Sequence, residues 1–291
     1  MTLPNFFVIG AGKSGTTALY DALRQHPQIF MSPIKEPHYF AFQGLPPVFK
    51  GPAGDYYRRT GVYSPRDYYM LFQHAMQYKS IGEASPTYMV SDYAAEHIRQ
   101  DLPDSKLVAV LRQPAERAYS NYMYFVQKGI EHASSFSEAL EQEPRRREQG
   151  WADLFFYRHK GYYHQQLSRY FGVFPREQIR IYFYEDWKES PQNILQDLFG
   201  FLEVDPDFMP ELRKLNVTMV PRSRRFDRFV RRLSKHGPAP LGAFLQRVNS
   251  LYNQVRPPRL DPAVRAELTA GYREDILRLQ DLTGRDLGHW M

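Results

Sequence analysis

The chain has 291 residues, of which 43% are hydrophobic, so it can bury a substantial core and is not an intrinsically disordered protein. Its 38 Lys and Arg against 32 Asp and Glu give a formal net charge of +6, which favours anionic ligands without naming one. Because the chain contains no cysteine, the sequence excludes disulfides, thiolate catalysis and cysteine-ligated metal sites.

The N-terminal residues, MTLPNFFVIGAGKSGTT, pass from a short apolar run into a glycine-rich turn. They lack the charged start and the cleavage site of a signal peptide, and the chain contains no apolar run of about 18 residues. The sequence therefore predicts a soluble protein that is not exported and has no transmembrane segment. A chain without cysteine also fits a reducing compartment, so we expect a cytoplasmic location.

The first predicted strand covers Phe6 to Ile9 and leads into a helix through the turn GAGKSGTT. The glycines of this turn let the backbone approach a phosphate closely, and the amides at the helix start stabilise its negative charge. An ordinary glycine turn before a helix is the alternative. Lys13, Thr16 and Thr17 favour the phosphate cradle, because each adds a donor beside it.

This loop departs from the pattern of nucleotide hydrolases. In the usual NTPase loop the lysine follows the last glycine, and the next Ser or Thr holds magnesium. Here Thr16 follows Gly15, and Lys13 lies inside the loop. The sequence therefore predicts a phosphate cradle without the usual magnesium arrangement, and no metal site.

A segment rich in proline and tyrosine follows, from Pro33 to Tyr69. We expect irregular loops here that lie over one face of a sheet. Such loops commonly shape a substrate site.

The second predicted strand covers Lys106 to Arg112, and a helix follows from Pro114 to a C-capping Gly129. Arg112 ends the strand, and Ser120 lies eight residues further on, in the second turn of the helix. This spacing lets both side chains face one ligand. An arginine fork donates two hydrogen bonds to a phosphate, and a serine hydroxyl adds a third.

The third predicted strand covers Ile179 to Tyr184, and Ser190 with Pro191 marks the start of the next helix. Tyr184 ends this strand. It is either a contact for a ligand or a core residue.

Two helical patterns are predicted near the C-terminus, after a basic stretch from Arg222 to Lys235. Apolar residues recur there at helical spacing, and we expect both stripes to face the core. The first stripe consists of Phe244, Val248 and Leu251, and the second of Leu268, Tyr272, Ile276, Leu279 and Leu282.

Strands that alternate with helices predict an α/β fold, with a central, mainly parallel sheet flanked by helices and a helical C-terminal part. Neither an internal repeat nor a strong linker divides the chain. We therefore expect residues 1–291 to form a single domain.

The motifs GAGKSGTTAL and LRQPAERAYSNY resemble those of the sulfotransferases that use 3′-phosphoadenosine 5′-phosphosulfate (PAPS), in the branch of the bacterial and heparan glucosaminyl enzymes. The resemblance extends from Asn5 to the C-terminal RDLGHW. It implies a P-loop-like sulfotransferase fold. It also implies transfer of a sulfuryl group from PAPS to a hydroxyl or amine, with adenosine 3′,5′-bisphosphate (PAP) as the second product.

The resemblance implies two anchors for the donor. In the family the loop lysine contacts the phosphate and the bridging oxygen of the leaving group, which is the role implied for Lys13. Further phosphate ligands would be Ser14, Gly15, Thr16 and Thr17 on the 5′ side, with Arg112 and Ser120 on the 3′ side.

Two weaker matches extend this donor site. IYFYEDWKESP resembles the strand end that brings a tyrosine near the adenine, which implies that role for Tyr184. Arg222 and Arg224 stand where related enzymes close a basic loop over the 3′-phosphate. The same arginines also fit the exposed face of an amphipathic helix.

The stretch SPIKEPHYFA is similar to the segment that supplies the general base in heparan-modifying members, and Glu36 stands at that position. His38 is the competing base, because histidine titrates closer to neutrality. An ion pair between Glu36 and Lys35 and a merely packed His38 are the structural alternatives. IGEASPTYM resembles the acceptor-side EKSPTYF pattern, but Ala84 replaces its lysine.

Two rival functions remain open at the level of sequence. A P-loop kinase or nucleotidase would bind ATP with magnesium, and a basic nucleic-acid-binding module would use the Arg222 to Lys235 stretch. We expect no nucleic acid as partner, because the remaining charge is dispersed. The acceptor could be a small molecule, a lipid, a carbohydrate or a carrier-tethered intermediate.

Overall fold

The computed structural model of the chain describes residues 2–212, 219–236 and 239–291. Within these residues five parallel strands form one sheet in the order β2-β3-β1-β4-β5. The strands are β1 (Phe6–Gly10), β2 (Ile29–Met31), β3 (Ser80–Ala84), β4 (Lys106–Leu111) and β5 (Ile179–Phe183).

Helices connect these strands, as parallel pairing requires. The first half of the chain contains α1 (Thr16–Leu23), α2 (Tyr56–Thr60), α3 (Pro65–Met70), α4 (Thr87–Val90), α5 (Ala94–Asp101), α6 (Pro114–Lys128) and α7 (Phe136–Glu148). The second half contains α8 (Tyr163–Val173), α9 (Tyr184–Glu189), α10 (Pro191–Phe201), α11 (Arg224–His236), α12 (Ala239–Tyr252) and α13 (Pro262–Thr283). A small antiparallel pair joins β6 (Val220–Pro221) to β7 (Gln254–Val255).

Alternate residues of the central strands pack on opposite faces of the sheet. Phe6 and Val8 contact the layer of α1 and α10, whereas Phe7 and Ile9 contact the layer that contains α5, α6, α8 and α13. Both faces are thus covered, which is why these strands are apolar throughout rather than alternating. The predicted α/β fold with a central parallel sheet flanked by helices is confirmed.

Several local predictions are confirmed. Gly129 caps α6 in the left-handed region with φ of 73°, and Leu268, Tyr272, Ile276 and Leu279 of α13 are buried. Ser190 and Pro191 begin α10, although the Ser190 side chain makes no capping hydrogen bond.

Two expectations were wrong or incomplete, and two strands were not predicted. The segment from Pro33 to Tyr69 contains α2, part of α3 and a 3₁₀ turn at Tyr39–Ala41 rather than only irregular loops. The short strands β2 and β3 have no clear signal in the sequence. Phe244 and Leu251 are 62% and 64% exposed, because no other described element of the fold covers that side of α12.

No helix in the described part of the chain is both long enough and apolar enough to cross a bilayer.

Candidate active site

A cavity of about 1200 Å³ opens where the central strands end. The loop after β1, the residues after β3, Arg112 after β4 and Tyr184 after β5 all line it. The carboxyl ends of parallel strands meet at one edge of the sheet, and loops there are free to carry polar side chains. The volume exceeds the roughly 300–1000 Å³ of common small-molecule pockets, so two substrates could occupy it together.

The glycine-rich loop joins β1 to the first turn of α1. Gly15 has φ of 96°, a conformation that costs residues with a side chain free energy. A Cβ atom at Gly15 would lie 3.2 Å from the Tyr184 ring. Glycine is therefore needed here for both the backbone conformation and the close approach of the tyrosine.

Lys13 lies inside this loop with φ of 71°, and its ammonium sits 4.2 Å from the centre of the Tyr124 ring. Burial, followed by the neighbouring Arg112 guanidinium, lowers the pKa of Lys13 to about 8, although the Glu36 carboxylate opposes this shift. The amine thus remains mostly protonated at neutral pH. It is a partly desolvated cation, which interacts strongly with a bound anion.

Arg112 and Ser120 also line this cavity. The Arg112 guanidinium lies 5.0 Å from the Tyr184 ring and 3.6 Å from the Glu116 carboxylate. Ser120 follows on α6 and lines the same cavity. Arg117, between them in sequence, is buried instead and donates a hydrogen bond to the Tyr157 carbonyl.

Most of the predicted site residues share this cavity. Its lining includes Lys13, Gly15, Thr16, Thr17, Glu36, His38, Arg112, Ser120 and Tyr184.

Three predicted residues are not among the described lining residues. Ser14 points into the protein, and its Oγ is buried with no hydrogen-bond partner in the described part of the chain. Arg224 donates to the Ala133 carbonyl and the Tyr122 hydroxyl, which hold it against α6. The Arg222 side chain is exposed, and its backbone amide bonds to the Asn253 carbonyl.

Glu36 is a carboxylate with a cation beside it. Its side chain forms an ion pair with Lys35. Burial by itself raises the pKa of Glu36, but the charge and hydrogen bond of Lys35, together with His38 and Lys160, outweigh burial, and the net pKa lies below its ordinary value. Glu36 is therefore ionised at neutral pH and able to accept a proton.

His38 lies two residues further on in the cavity wall and is fully buried. Burial lowers its pKa to about 4, although Glu36 and Asp153 oppose this, so the ring is neutral at physiological pH. Nδ1 lies 2.8 Å from the Thr87 hydroxyl, and Nε2 has no hydrogen-bond partner in the described residues.

The sequence did not reveal a buried network behind these two residues. Asp153 accepts a hydrogen bond from the Tyr57 hydroxyl at 2.5 Å and pairs with Lys160 at 2.6 Å. The Tyr57 ring in turn packs edge-on against His38, with 5.0 Å between the ring centres. Asp153 and Tyr57 are 96 residues apart in sequence, and no local pattern links them.

The glutamate of the IGEASPTYM stretch is not among the described residues that line the cavity. Glu83 is buried and accepts hydrogen bonds from Tyr68, Tyr88 and Ser85, and burial raises its pKa to about 7. Tyr162 and Tyr163 are not among the described lining residues, and Tyr163 donates to the Arg112 carbonyl instead. Ala84 is fully buried.

No metal-binding centre is apparent in residues 2–212, 219–236 and 239–291. These residues contain no group of three or more His, Cys, Asp and Glu side chains that could hold a metal ion.

A family model described as "Sulfotransferase domain" matches residues 3–235 of the chain. Human carbohydrate sulfotransferase 15 is 28% identical over 274 residues, which cover 76% of this chain and 47% of that protein. The bifunctional heparan sulfate N-deacetylase/N-sulfotransferase of Drosophila melanogaster is 30% identical over 237 residues, which cover 73% of this chain and 21% of that protein. The chain thus spans half or less of the length of these relatives.

A crystal structure of a sulfotransferase from Alicyclobacillus acidocaldarius matches the fold with a TM-score of 0.80 and 31% sequence identity. The match covers 100% of this chain and 99% of that one. A sulfotransferase domain from the olefin synthase of Synechococcus PCC 7002 matches with a TM-score of 0.50 and 16% identity, which is a likeness of fold.

Proposed function

Because this chain belongs to the sulfotransferase family, we propose that it transfers a sulfuryl group from PAPS to a hydroxyl or amine of an acceptor. One observation supports this most directly. The phosphate loop with Lys13 and the Arg112–Ser120 pair line the same cavity, with the Tyr184 ring between Gly15 and Arg112. A donor with phosphates at both ends of one nucleoside suits such a cavity.

The proposed donor site uses both anchors. Lys13, Gly15, Thr16, Thr17 and the Ser14 amide would bind the 5′-phosphosulfate, where the helix start favours negative charge. Arg112 and Ser120 would bind the 3′-phosphate, because a guanidinium fork and a hydroxyl both donate to phosphate oxygens. Tyr184 would form a wall for the adenosine. Contacts from Arg222 and Arg224 to the 3′-phosphate remain a prediction for the donor-bound enzyme.

The proposed reaction is an in-line displacement at sulfur. The acceptor oxygen or nitrogen forms the new bond to sulfur while the bond from sulfur to the bridging oxygen breaks, and PAP leaves with that electron pair. Glu36 takes the acceptor proton, because it is ionised and lines the cavity. His38 would orient the acceptor, since a ring with a pKa of about 4 is mostly unable to hold a proton at neutral pH.

We further propose a carbohydrate acceptor, on the strength of the relatives named for carbohydrate and heparan sulfate. The part of the cavity near Glu36 is lined by Tyr56, Tyr57 and Tyr124, together with Lys35 and Lys160. Aromatic faces and cationic donors suit a polar or anionic sugar. The single domain of residues 1–291 and the cytoplasmic location remain predictions.

The nucleotide test separates this proposal from a kinase or nucleotidase. The chain is expected to bind PAP in the presence of EDTA, and PAP at 100 times its Kd should stabilise the fold by about 2.7 kcal/mol. ATP with magnesium should stabilise it much less. Thermal unfolding measures both effects, and mass spectrometry of carbohydrate pools supplied with PAPS measures transfer. Magnesium-dependent ATP binding, or equal binding of PAP and ATP, would contradict the donor assignment.

Gly15→Ala is expected to weaken PAP binding about tenfold, which corresponds to about 1.4 kcal/mol. The new methyl group meets the Tyr184 ring, and alanine disfavours a φ of 96°. Titration calorimetry with PAP measures the change. Gly172→Ala is the matched control, because a Cβ there meets nothing within 4 Å. Unchanged affinity in the Gly15 variant would refute the close approach of the loop to the nucleotide.

A further inference from the structure

The helices α11 and α12 form an antiparallel hairpin. Ser234 near the end of α11 donates to the Gly242 carbonyl at 3.2 Å, and Asn249 donates to Asp227 at 2.7 Å. Residues nearer the start of α11 thus contact residues nearer the end of α12. These contacts identify the side of each helix that faces the other.

Apolar side chains lie on a common side of this hairpin. In an α-helix successive residues turn by about 100°, so each position can be placed relative to the contact side. Measured from the contact side, the apolar residues of α11 and those of α12 are rotated about their helix axes by similar angles and in the same direction. Two antiparallel helices are related by a twofold axis perpendicular to their plane, so equal rotations fall on the same face. This apolar hairpin face consists of Phe226, Phe229, Leu233, Phe244, Val248 and Leu251.

Three of these six side chains are exposed to water. Phe229 is 56% exposed, Phe244 62% and Leu251 64%. The adjoining Tyr252 is 78% exposed. Single exposed apolar residues are common, but several on one side of two neighbouring helices are typical of a binding surface.

Exposed arginine side chains lie beside this face on both helices. Arg225 and Arg247 are exposed and flank it, while Arg228 and Arg232 are exposed further around the hairpin. The acidic residue of α11, Asp227, is buried and paired with Arg231, and the sequence of α12 contains no acidic residue. The exposed charge of the hairpin is therefore positive.

This charge argues against a second copy of the chain as the occupant. Two copies that packed these faces together would bring their flanking arginines close to one another, and like charges repel. An anionic partner with an apolar interior satisfies both features, because the arginines reach phosphates while the aromatic and aliphatic side chains enter the acyl boundary.

We propose that the apolar hairpin face binds peripherally to a membrane surface that contains anionic phospholipids. The attachment to the rest of the fold fits this role. Arg231 donates to the Gln127 carbonyl at 2.8 Å, and Arg224 bonds to Tyr122, so the hairpin is held against α6. Since α6 also carries Ser120, a docked hairpin keeps the cavity close to the membrane. The binding itself does not depend on the proposed chemistry.

The test is flotation of the full chain with vesicles. Vesicles of phosphatidylcholine with 30% phosphatidylglycerol should bind the chain at least tenfold more tightly than pure phosphatidylcholine, and raised salt should weaken the binding. The double substitution Phe244→Ser and Leu251→Ser should reduce the affinity at least tenfold. Both side chains are exposed, so circular dichroism and PAP binding should be unchanged.

Leu45→Ser with Val48→Ser is the matched control, because these side chains are 77% and 83% exposed but lie far from the hairpin in sequence. This variant should bind vesicles as the wild type does. Absence of vesicle binding, equal binding to neutral vesicles, or an unaffected hairpin variant would each overturn the proposal. Light scattering that shows a dimer abolished by the hairpin substitutions would overturn it in favour of a second copy.

Discussion

Lys13→Ala is expected to lower kcat by about 10²–10³, comparable to the loss of one preorganised oxyanion donor, while PAP affinity falls less than about tenfold. Negative charge grows on the bridging oxygen as the bond to sulfur breaks. The Lys13 ammonium lies in a desolvated part of the cavity, where its charge is screened less than in water. Its largest contribution therefore falls in the transition state rather than in ground-state binding.

Steady-state kinetics and PAP titration measure the two quantities in the same preparation. Lys50→Ala is the matched control, since Lys50 is exposed and is not among the described residues that line the cavity. It should leave both quantities unchanged. Equal losses of kcat and PAP affinity in the Lys13 variant would show that the lysine only binds the nucleotide.

The pH dependence of the wild type gives a second readout of Lys13. In the free enzyme its pKa is about 8, so the positive charge is present below this pH and is lost as the pH rises through it. We therefore expect kcat/KM to decline above about pH 8. A bound phosphate stabilises the charged amine, which should move the corresponding decline in kcat to higher pH.

Glu36→Gln is expected to lower kcat by about 10²–10⁴, the range for removal of a general base. Glutamine keeps the shape of the side chain but cannot accept the acceptor proton. In the wild type the pKa of Glu36 lies below its ordinary value. The carboxylate is thus available at neutral pH and is lost only as the pH falls through this lowered pKa. The decline of kcat at acidic pH should therefore disappear in the variant.

His38→Asn is the informative comparison for this base. Asparagine accepts the left-handed conformation of His38, whose φ is 59°, and keeps a polar group near Thr87 while it removes Nε2. If Glu36 is the base, this variant should lose less than about tenfold in kcat. A larger loss in the His38 variant than in the Glu36 variant would reverse the two assignments. Single-turnover measurements at saturating PAPS isolate the chemical step.

Local features of the fold could be predicted where the chain carries its own signal. The strands β1, β4 and β5 are apolar runs followed by helix-start residues, and the buried stripe of α13 recurs at helical spacing. The strand β2 has three residues, and β3 contains a glycine and a glutamate. Their extended conformation depends on pairing with neighbouring strands, which no local pattern specifies.

The C-terminal hairpin shows the limit of periodicity. The spacing of Phe244, Val248 and Leu251 places them on one face of a helix, as predicted. Whether that face is covered depends on the other elements, and in this fold Phe244 and Leu251 are exposed. Spacing identifies a face, whereas burial is a property of the whole packing.

The sequence by itself determined the glycine-rich loop, the Arg112–Ser120 spacing and the strands β1, β4 and β5 with the helices that follow them, because these depend on neighbours within a few turns of the chain. Only the tertiary structure decided that Lys13, Glu36 and Arg112 line one cavity. It also decided that Asp153 reaches Tyr57 and Lys160 behind His38. Protonation follows the same division, since the pKa of a side chain is set by burial and by charges that the fold brings close from distant parts of the chain.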